Sequence, residues 1–305
     1  MEKIKVAKIK NLLLVVFRYA FLIGLVFTIL YPQLNKVVIA FRSDADLIDS
    51  SIIFLPKHFA IDSFIQAADG MDYLSTFFRT LFICVACAFF HVIACTLTAY
   101  SIAKFDFRLK KPVYVCVILT FLVPPSLISL PIYTTFQNFD IFGIFKLLSG
   151  SMVTLLDKPI SLLLLYATAN GLKSGLFVFL LVQYFKNMPR VLDEAAEVDG
   201  ATNLQILLRI ALPSARVMMV TVFLFTFVWQ WTDTYYTSMF FTEFKVMSSA
   251  LNELTAAFSN VEMSFVKLSQ ISSAGSVLFV IPLLILYLLC NKAFVQSIEN
   301  SGIVG

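Results

Sequence analysis

Apolar runs of about twenty residues recur along this 305-residue chain, and they limit its fold more than any other feature. A helical run of that length matches the hydrocarbon thickness of a bilayer. The predicted spans are Leu12–Tyr31, Phe77–Ala103, Pro112–Tyr133, Leu163–Phe185, Val217–Phe240 and Ile271–Ala293. We therefore expect an all-α membrane protein with six transmembrane helices, built as a single domain over residues 1–305 with its core at about 74–294.

Composition agrees with this fold class. Hydrophobic residues make up 59% of the chain and charged residues only 14%, far from the balance of soluble domains. The net charge of +4 is spread along the chain, which argues against a nucleic-acid partner. All five cysteines fall inside apolar runs, and Cys84 and Cys87 have no second pair or histidine at zinc-ligand spacing, so no metal site is predicted.

The distribution of Lys and Arg predicts the orientation of the spans, because basic loops resist translocation. Basic residues are dense at the N-terminus, in the connection 104–111 and around 186–209. These parts and both termini are expected on the cytoplasmic side of a prokaryotic cell membrane. The loops Pro32–Thr76, Thr134–Leu162 and Phe241–Gln270 are expected outside.

Residues 189–213 form an unusually polar insert between the fourth and fifth predicted spans, here called the EAA segment. Pro189 suits the start of a helix, and Gly200 stands where a helix ends in the left-handed conformation. Thr202 and Gln205 are spaced as a capping box for a second helix, which Pro213 is expected to stop. In that helix Leu204, Leu207, Leu208 and Ala211 recur at the spacing of one apolar stripe. The pattern predicts two helices around a glycine elbow that need a partner surface.

Sequence motifs for nucleotide binding and catalysis are missing. The chain has no phosphate-binding G-x-x-x-x-G-K-[ST] loop, no G-x-S-x-G elbow and no H-E-x-x-H pair. His91 lies inside the second predicted span, where a hydrogen-bonded packing role is favoured over a proton relay. Neither an intramembrane enzyme nor a secondary transporter is indicated, and the chain is not expected to bind ATP itself.

The EAA segment resembles the EAA loop of binding-protein-dependent ABC importer permeases. The fixed positions of that loop are matched by Glu194, Ala195, Ala196, Gly200, Ile210, Leu212 and Pro213. The stretches LTAYSIAKFDFRLKK, VPPSLISLPIYTTFQNF and FTFVWQWTDTYY are similar to carbohydrate-type members, particularly the smaller permease subunit of maltose-type importers. The external connection between the third and fourth spans is longer than that family's pattern.

This resemblance implies a transport subunit that binds no cofactor of its own. Its expected partners are a second permease, expected to form a heterodimer with it, two ATPase subunits that carry ATP and Mg²⁺, and an extracytoplasmic solute-binding protein. The EAA segment would dock in a cleft on an ATPase, where Glu194 meets a basic residue and Gly200 permits the elbow. Apolar residues of the second helix, Leu204, Leu207 and Leu208 among them, would fill the groove.

The substrate is expected to be a sugar or oligosaccharide, with a non-sugar solute as the alternative. Lys173 departs from the family pattern, because it occupies a mid-span position near Asn170. It is expected either to face a watery cavity, which would suit an acidic oligosaccharide, or to pair with an acid such as Asp233. Trp229 and Trp231 are candidates for stacking on sugar rings, but their spacing directs them to different helix faces. Tyr235 and Tyr236 fit an interfacial aromatic belt or the same stacking role.

Overall fold

A computed structural model describes residues 2–49, 51, 55–140, 143–258 and 263–302. Regular structure in these ranges is helical, together with two isolated β-bridges that pair Arg42 with Phe59 and Phe139 with Val153. The helices, in chain order, are α1 Glu2–Ala40, α2 Asp44–Ile48, α3 Asp62–Gly70, α4 Tyr73–Lys104, α5 Lys110–Leu122, α6 Pro125–Gln137, α7 Ile144–Ser149, α8 Ile160–Ala167, α9 Ser174–Asn187, α10 Arg190–Val198, α11 Asn203–Ile206, α12 Leu212–Ser214, α13 Arg216–Thr232, α14 Tyr235–Phe240, α15 Met247–Ala257 and α16 Phe265–Gly302. A π-helix, Leu207–Ala211, joins α11 to α12.

Three helical stretches in the described residues are each long and apolar enough to cross a membrane. They are Asn11–Ala40 in α1, Tyr73–Lys104 and Phe265–Cys290 in α16. They coincide with the first, second and sixth predicted spans. Two bent pairs, α5 with α6 and Asn203–Ser214 with α13, raise the number to as many as five. The prediction of an all-helical membrane protein is confirmed, and the count of six spans stays a prediction.

The third predicted span is broken at its prolines. The chain turns by 103° between α5 and α6 at Val123 and Pro124. Pro124 is extended, with φ −62° and ψ 138°, and Pro125 occupies the first turn of α6, where a missing N–H leaves no hydrogen bond unmade. The third predicted span is therefore interrupted at Pro124 and Pro125, whereas Pro131 lies inside α6.

The fourth predicted span, Leu163–Phe185, is not one continuous helix. The helix ends at Ala167 and resumes at Ser174. Ala169 (φ 55°) and Lys173 (φ 59°) adopt the left-handed conformation, which a right-handed helix cannot contain. Residues 168–173, here called the α8–α9 turn, are thus a non-helical interruption of an apolar stretch.

The fifth predicted span, Val217–Phe240, is also interrupted. Helix α13 ends at Thr232, and the carboxylate of Asp233 accepts hydrogen bonds from the backbone N–H groups of Tyr235 (3.2 Å) and Thr237 (2.8 Å). Asp233 therefore satisfies the free N–H groups at the start of α14, which is how a capping side chain begins a new helix.

One compact unit comprises Leu74–Ala250 and Pro282–Gly305. Its core packs α4 against α9 and α13 through buried residues that include Cys95, Ala99, Tyr100, Phe177, Leu181, Phe185 and Val222. Cys84, Cys87 and Cys95 are buried, whereas Cys116 is exposed and Cys290 is half-buried. Within the same unit, Asp157 accepts the backbone N–H of Glu243 at 2.8 Å and thereby ties the residues after α7 to those after α14.

The other compact unit comprises Met1–Tyr73 and Leu251–Ile281. Here the carboxylate of Asp46 accepts the backbone N–H groups of Lys57 (2.7 Å) and His58 (2.9 Å). The hydrogen bond from the His58 backbone, supported by the His58 ring and the Lys57 N–H, lowers the pKa of Asp46 to about 2. Lys267 forms an ion pair with Asp44 at 2.5 Å, which joins α16 to α2.

Candidate functional site

The EAA segment folds as two helices around a glycine elbow, as the sequence predicts. Helix α10 follows Pro189 and ends at Gly200, which has φ 80°. The N–H of Gly200 donates to Glu197 O (3.0 Å), and that of Ala201 donates to Ala196 O (2.9 Å), which together make a Schellman motif.

The next helix begins at the predicted capping box. The N–H of Gln205 donates to Thr202 Oγ1 at 3.3 Å, and the N–H of Thr202 donates to Gln205 Oε1 at 2.8 Å. Two N–H groups that would otherwise lack partners at the helix start are thereby satisfied.

Pro213 does not stop the second helix, contrary to the sequence prediction. The chain widens into the π-helix Leu207–Ala211, in which the N–H of Leu212 donates to Leu207 O, and α12 continues through Pro213 to Ser214. In an α-helix the ring of a proline clashes with the carbonyl group four residues earlier. The wider π-helix before Pro213 relieves this clash, so the helix continues through the proline. The bend of 71° comes after Ser214.

The predicted apolar stripe is only partly buried by the chain itself. Leu207 and Ala211 are buried, whereas Leu204 and Leu208 are 63% and 54% exposed. Ile210 and Leu212 are half-buried and Pro213 is exposed. One part of the stripe therefore packs on the core, and the other part is exposed.

The inner face of the EAA segment is attached to the helical core. Leu207 and Ala211 pack in the same cluster as Tyr100 and Phe185. Lys104 Nζ lies 2.5 Å from Asp193 Oδ2, and both side chains are largely buried. Sequence reasoning missed this ion pair, although a lysine at the end of a span and an acid next to Glu194 were visible signals.

The outer face of the EAA segment combines exposed apolar side chains with carboxylates. Its exposed large apolar residues are Val191, Leu192, Val198, Leu204 and Leu208. Glu194, Ala195, Glu197 and Asp199 are exposed beside them, and Ala196 is half-buried. Such a mixed surface is typical of a site that binds a protein with an apolar groove and basic groups.

A second candidate site lies at the α8–α9 turn, where Lys173 meets the end of α13. A cavity of about 280 Å³ is lined by Leu172, Lys173, Trp229, Thr232, Asp233, Thr234 and Tyr235. A larger cavity of about 380 Å³ reaches the same turn through Thr168, Ala169 and Asn170, with α5 on its other side. Non-helical backbone in a membrane is tolerated where it is buried in protein or lines a cavity, and residues of this turn line both cavities.

The structure brings Lys173 and Asp233 to one cavity without pairing them. Among the described residues no ion pair within 4 Å joins the two side chains. The Asp233 carboxylate is instead bonded to Thr237, through its N–H at 2.8 Å and its hydroxyl at 3.0 Å. Asp233 is buried, whereas Lys173 is exposed.

The two tryptophans lie on different helix faces, as predicted. Trp229 lines the smaller cavity and packs on Phe177, with ring centroids 5.3 Å apart. Trp231 is only 1% exposed and stacks on Phe227 in the core, so it does not line this cavity. Tyr235 lines the cavity, and Tyr236 is buried.

A buried polar cluster stands behind the α8–α9 turn. His91 is fully buried, with Nε2 at 2.7 Å from Ser174 Oγ and Nδ1 at 2.8 Å from Thr226 Oγ1. This agrees with the packing role favoured for His91. The partners were not predicted, and the only signal was the presence of polar residues inside apolar runs.

Comparison with known proteins gives a family match over most of the chain. Residues 95–300 match the family described as "Binding-protein-dependent transport system inner membrane component". The chain is 27% identical to the maltodextrin transport system permease protein MdxG of Bacillus subtilis, over 94% of this chain and 95% of the relative. It is 26% identical to the probable starch degradation products transport system permease protein AmyC of Thermoanaerobacterium thermosulfurigenes, over 90% and 93% of the two chains.

A solved structure shares the fold. It is a bacterial ABC transporter involved in the import of the acidic polysaccharide alginate, and one of its chains is similar to this one with a TM-score of 0.68. The match covers 90% of this chain and 95% of that chain at 19% sequence identity. At this identity the likeness shows the common fold.

Proposed function

This chain belongs to the family of binding-protein-dependent transport system inner membrane components, and we propose that it forms half of the translocation path of a sugar importer. The family is one of transport subunits rather than enzymes, so the resemblance found in the sequence is confirmed. A sugar or oligosaccharide substrate is supported by the maltodextrin and starch-product relatives. An alternative non-sugar solute gains no support from them.

The proposed assembly contains a second permease, two ATPase subunits that bind ATP and Mg²⁺, and an extracytoplasmic binding protein. Within it this chain would act as one permease domain with six spans and both termini in the cytoplasm. The missing nucleotide-binding motif supports this division of labour, because the chain needs a partner to supply energy. The density of Lys and Arg around 186–209 supports a cytoplasmic EAA segment.

The observation that carries the coupling role is the two-sided packing of the EAA segment. Its inner face is joined to α4 and the core by the Lys104–Asp193 ion pair and by buried Leu207. Its outer face leaves Glu194, Leu204 and Leu208 exposed. A segment fixed on one side and open on the other transmits a partner's movement to the helices behind it.

The coupling role is tested by Glu194→Lys and Gly200→Pro in the assembled transporter. We expect both to abolish ATP-dependent uptake while the chain still inserts, because one reverses a docking charge and the other distorts the elbow. Glu253→Lys is the matched control, since Glu253 is an exposed acid outside the EAA segment. Full uptake by both Glu194→Lys and Gly200→Pro, with correct insertion, would refute the proposed docking of the EAA segment on an ATPase subunit.

An acidic oligosaccharide is the more specific candidate substrate. The observation that favours it is the exposed ammonium group of Lys173 in a cavity that also presents the Trp229 ring. A cation beside an aromatic face suits a sugar that carries a carboxylate.

Uptake of neutral and acidic oligosaccharides by Lys173→Ala tests this substrate class. We expect a selective loss for the acidic sugars, and Lys173→Arg, which keeps the charge, should retain them. Equal losses for both classes of sugar would contradict the anionic substrate and leave the sugar-importer role in place.

A further inference from the structure

His91 links three helical elements by hydrogen bonds. Its Nε2 lies 2.7 Å from Ser174 Oγ, and its Nδ1 lies 2.8 Å from Thr226 Oγ1. Ser174 Oγ also lies 2.8 Å from Gly171 O, to which it can donate. When Ser174 donates to Gly171, the His91 tautomer that satisfies both hydroxyls carries its proton on Nε2 and accepts from Thr226 at Nδ1. The chain of bonds runs from α13 through α4 to the α8–α9 turn.

The residues packed around the His91 imidazole also contact the α8–α9 turn. The His91 ring meets Tyr166 edge to face at 4.9 Å, and Tyr166 donates its hydroxyl to Gln230 Oε1 at 2.7 Å. Gly171 lies so close to Tyr166 that an added Cβ would come within 2.2 Å of the ring. The turn is thus held between α4, α8 and α13.

The turn needs such support, because its backbone is unfavourable by itself. Ala169 and Lys173 are non-glycine residues with positive φ, a conformation that is unfavourable for residues with a side chain. Strained conformations persist only where surrounding contacts over-determine them. The bond from His91 falls on Ser174, the residue directly after Lys173.

We infer that His91 is a positioning residue that holds the α8–α9 turn and thereby places Lys173 at the cavity shared with Trp229 and Asp233. It does not contact the cavity itself. The transport consequence rests on the proposed function, whereas the placement of Lys173 is a property of this chain alone.

The placement is measured by the reactivity of a cysteine at position 173. The five native cysteines are replaced, Lys173→Cys is introduced, and the full chain is labelled in membranes with its partner subunits by a positively charged methanethiosulfonate. We expect His91→Leu to change the labelling rate about fivefold, the factor for one lost buried hydrogen bond. His91→Gln should stay near the parent rate, because its amide N–H reaches Ser174. His91→Asn keeps only the acceptor toward Thr226 and should behave like His91→Leu.

A matched control separates positioning from general loss of stability. Thr80 is buried on the same helix, and its hydroxyl oxygen accepts the N–H of Met247 at 2.9 Å, away from the turn. Thr80→Val should lower thermal stability and leave labelling at position 173 unchanged. If it changes labelling as much as His91→Leu, the inference is overturned. Parent-like labelling in His91→Leu would overturn it as well.

Two further measurements keep the outcomes distinct. Where His91→Leu does not accumulate, Ser174→Ala removes the receiving hydroxyl and its bond to Gly171, and the same labelling change is expected. Uptake is measured in parallel in the chain with native cysteines and Lys173. A shift in labelling with unchanged KM for sugar would leave the positioning role intact and would count against the place of Lys173 in the path.

Discussion

Two non-helical breaks connect successive helices of this chain, and their surroundings differ. The elbow at Gly200 and the α8–α9 turn both end one helix and start another through left-handed residues. At the elbow a Cβ on Gly200 would have nothing within 4 Å. At the turn the left-handed residues are Ala169 and Lys173, and the glycine, Gly171, lies against the Tyr166 ring.

The elbow is specified by the residues next to it in sequence, whereas the α8–α9 turn depends on contacts with the rest of the fold. The exposed elbow relies on glycine's own conformational freedom and on a local capping box, because no neighbour supports it. The α8–α9 turn contains non-glycine residues in a strained conformation, because His91 on α4 and Tyr166 on α8 contact it or the residue next to it. Glycine is needed there for space rather than for φ.

The largest effect should come from Gly171→Ala. Its Cβ would meet the buried Tyr166 ring, and overpacking of this kind costs about 1–3 kcal/mol of unfolding free energy. Thermal unfolding of the purified chain in detergent measures it. Gly24→Ala is the control, since its Cβ would meet nothing within 4 Å in α1, and it should not lower the midpoint. Equal thermal unfolding midpoints for Gly171→Ala and Gly24→Ala would contradict the inference that Gly171 is needed because a side chain has no space there.

Gly200→Ala should have a smaller and more local effect. An alanine at φ 80° costs about 1 kcal/mol, without any clash. Faster hydrogen exchange at the amides of residues 199–201 should report it, with little change in the global midpoint. Gly200→Asn should lose less protection from hydrogen exchange than Gly200→Ala, because asparagine tolerates the left-handed region of backbone conformation. An asparagine variant as perturbed as the alanine variant would argue that something other than φ fixes this position.

The smallest effect is expected from Thr202→Ala. Loss of the cap at the exposed start of α11 should cost about 0.5–1 kcal/mol, because the N–H of Gln205 loses its acceptor. Hydrogen exchange at Gln205 measures the change, and Thr202→Ser should restore protection. Unchanged exchange in Thr202→Ala would mean that tertiary contacts, and not the capping box, start this helix.

Features that depend on local sequence could be predicted, and features that depend on tertiary contacts could not. The elbow and the capping box were predicted, because each depends on residues within one or two turns of chain. The break in the fourth predicted span, and the burial of Leu207 but not of Leu204 and Leu208, were not predicted, because they depend on contacts with residues that are distant in sequence. The π-helix that precedes Pro213 was not predicted either, because the spacing of apolar residues does not distinguish a π turn from an α turn.

The membrane class, the family and the helix–elbow–helix form of the EAA segment follow from the sequence, because hydrophobic run length and local capping need no distant partner. The tertiary structure was needed to show which side of that segment is exposed, where the fourth predicted span breaks, and that Lys173 shares a cavity with Asp233 without pairing. Those outcomes depend on pairs such as Lys104 with Asp193 and His91 with Ser174, which are 89 and 83 residues apart in sequence. Such contacts form only when the helices pack together.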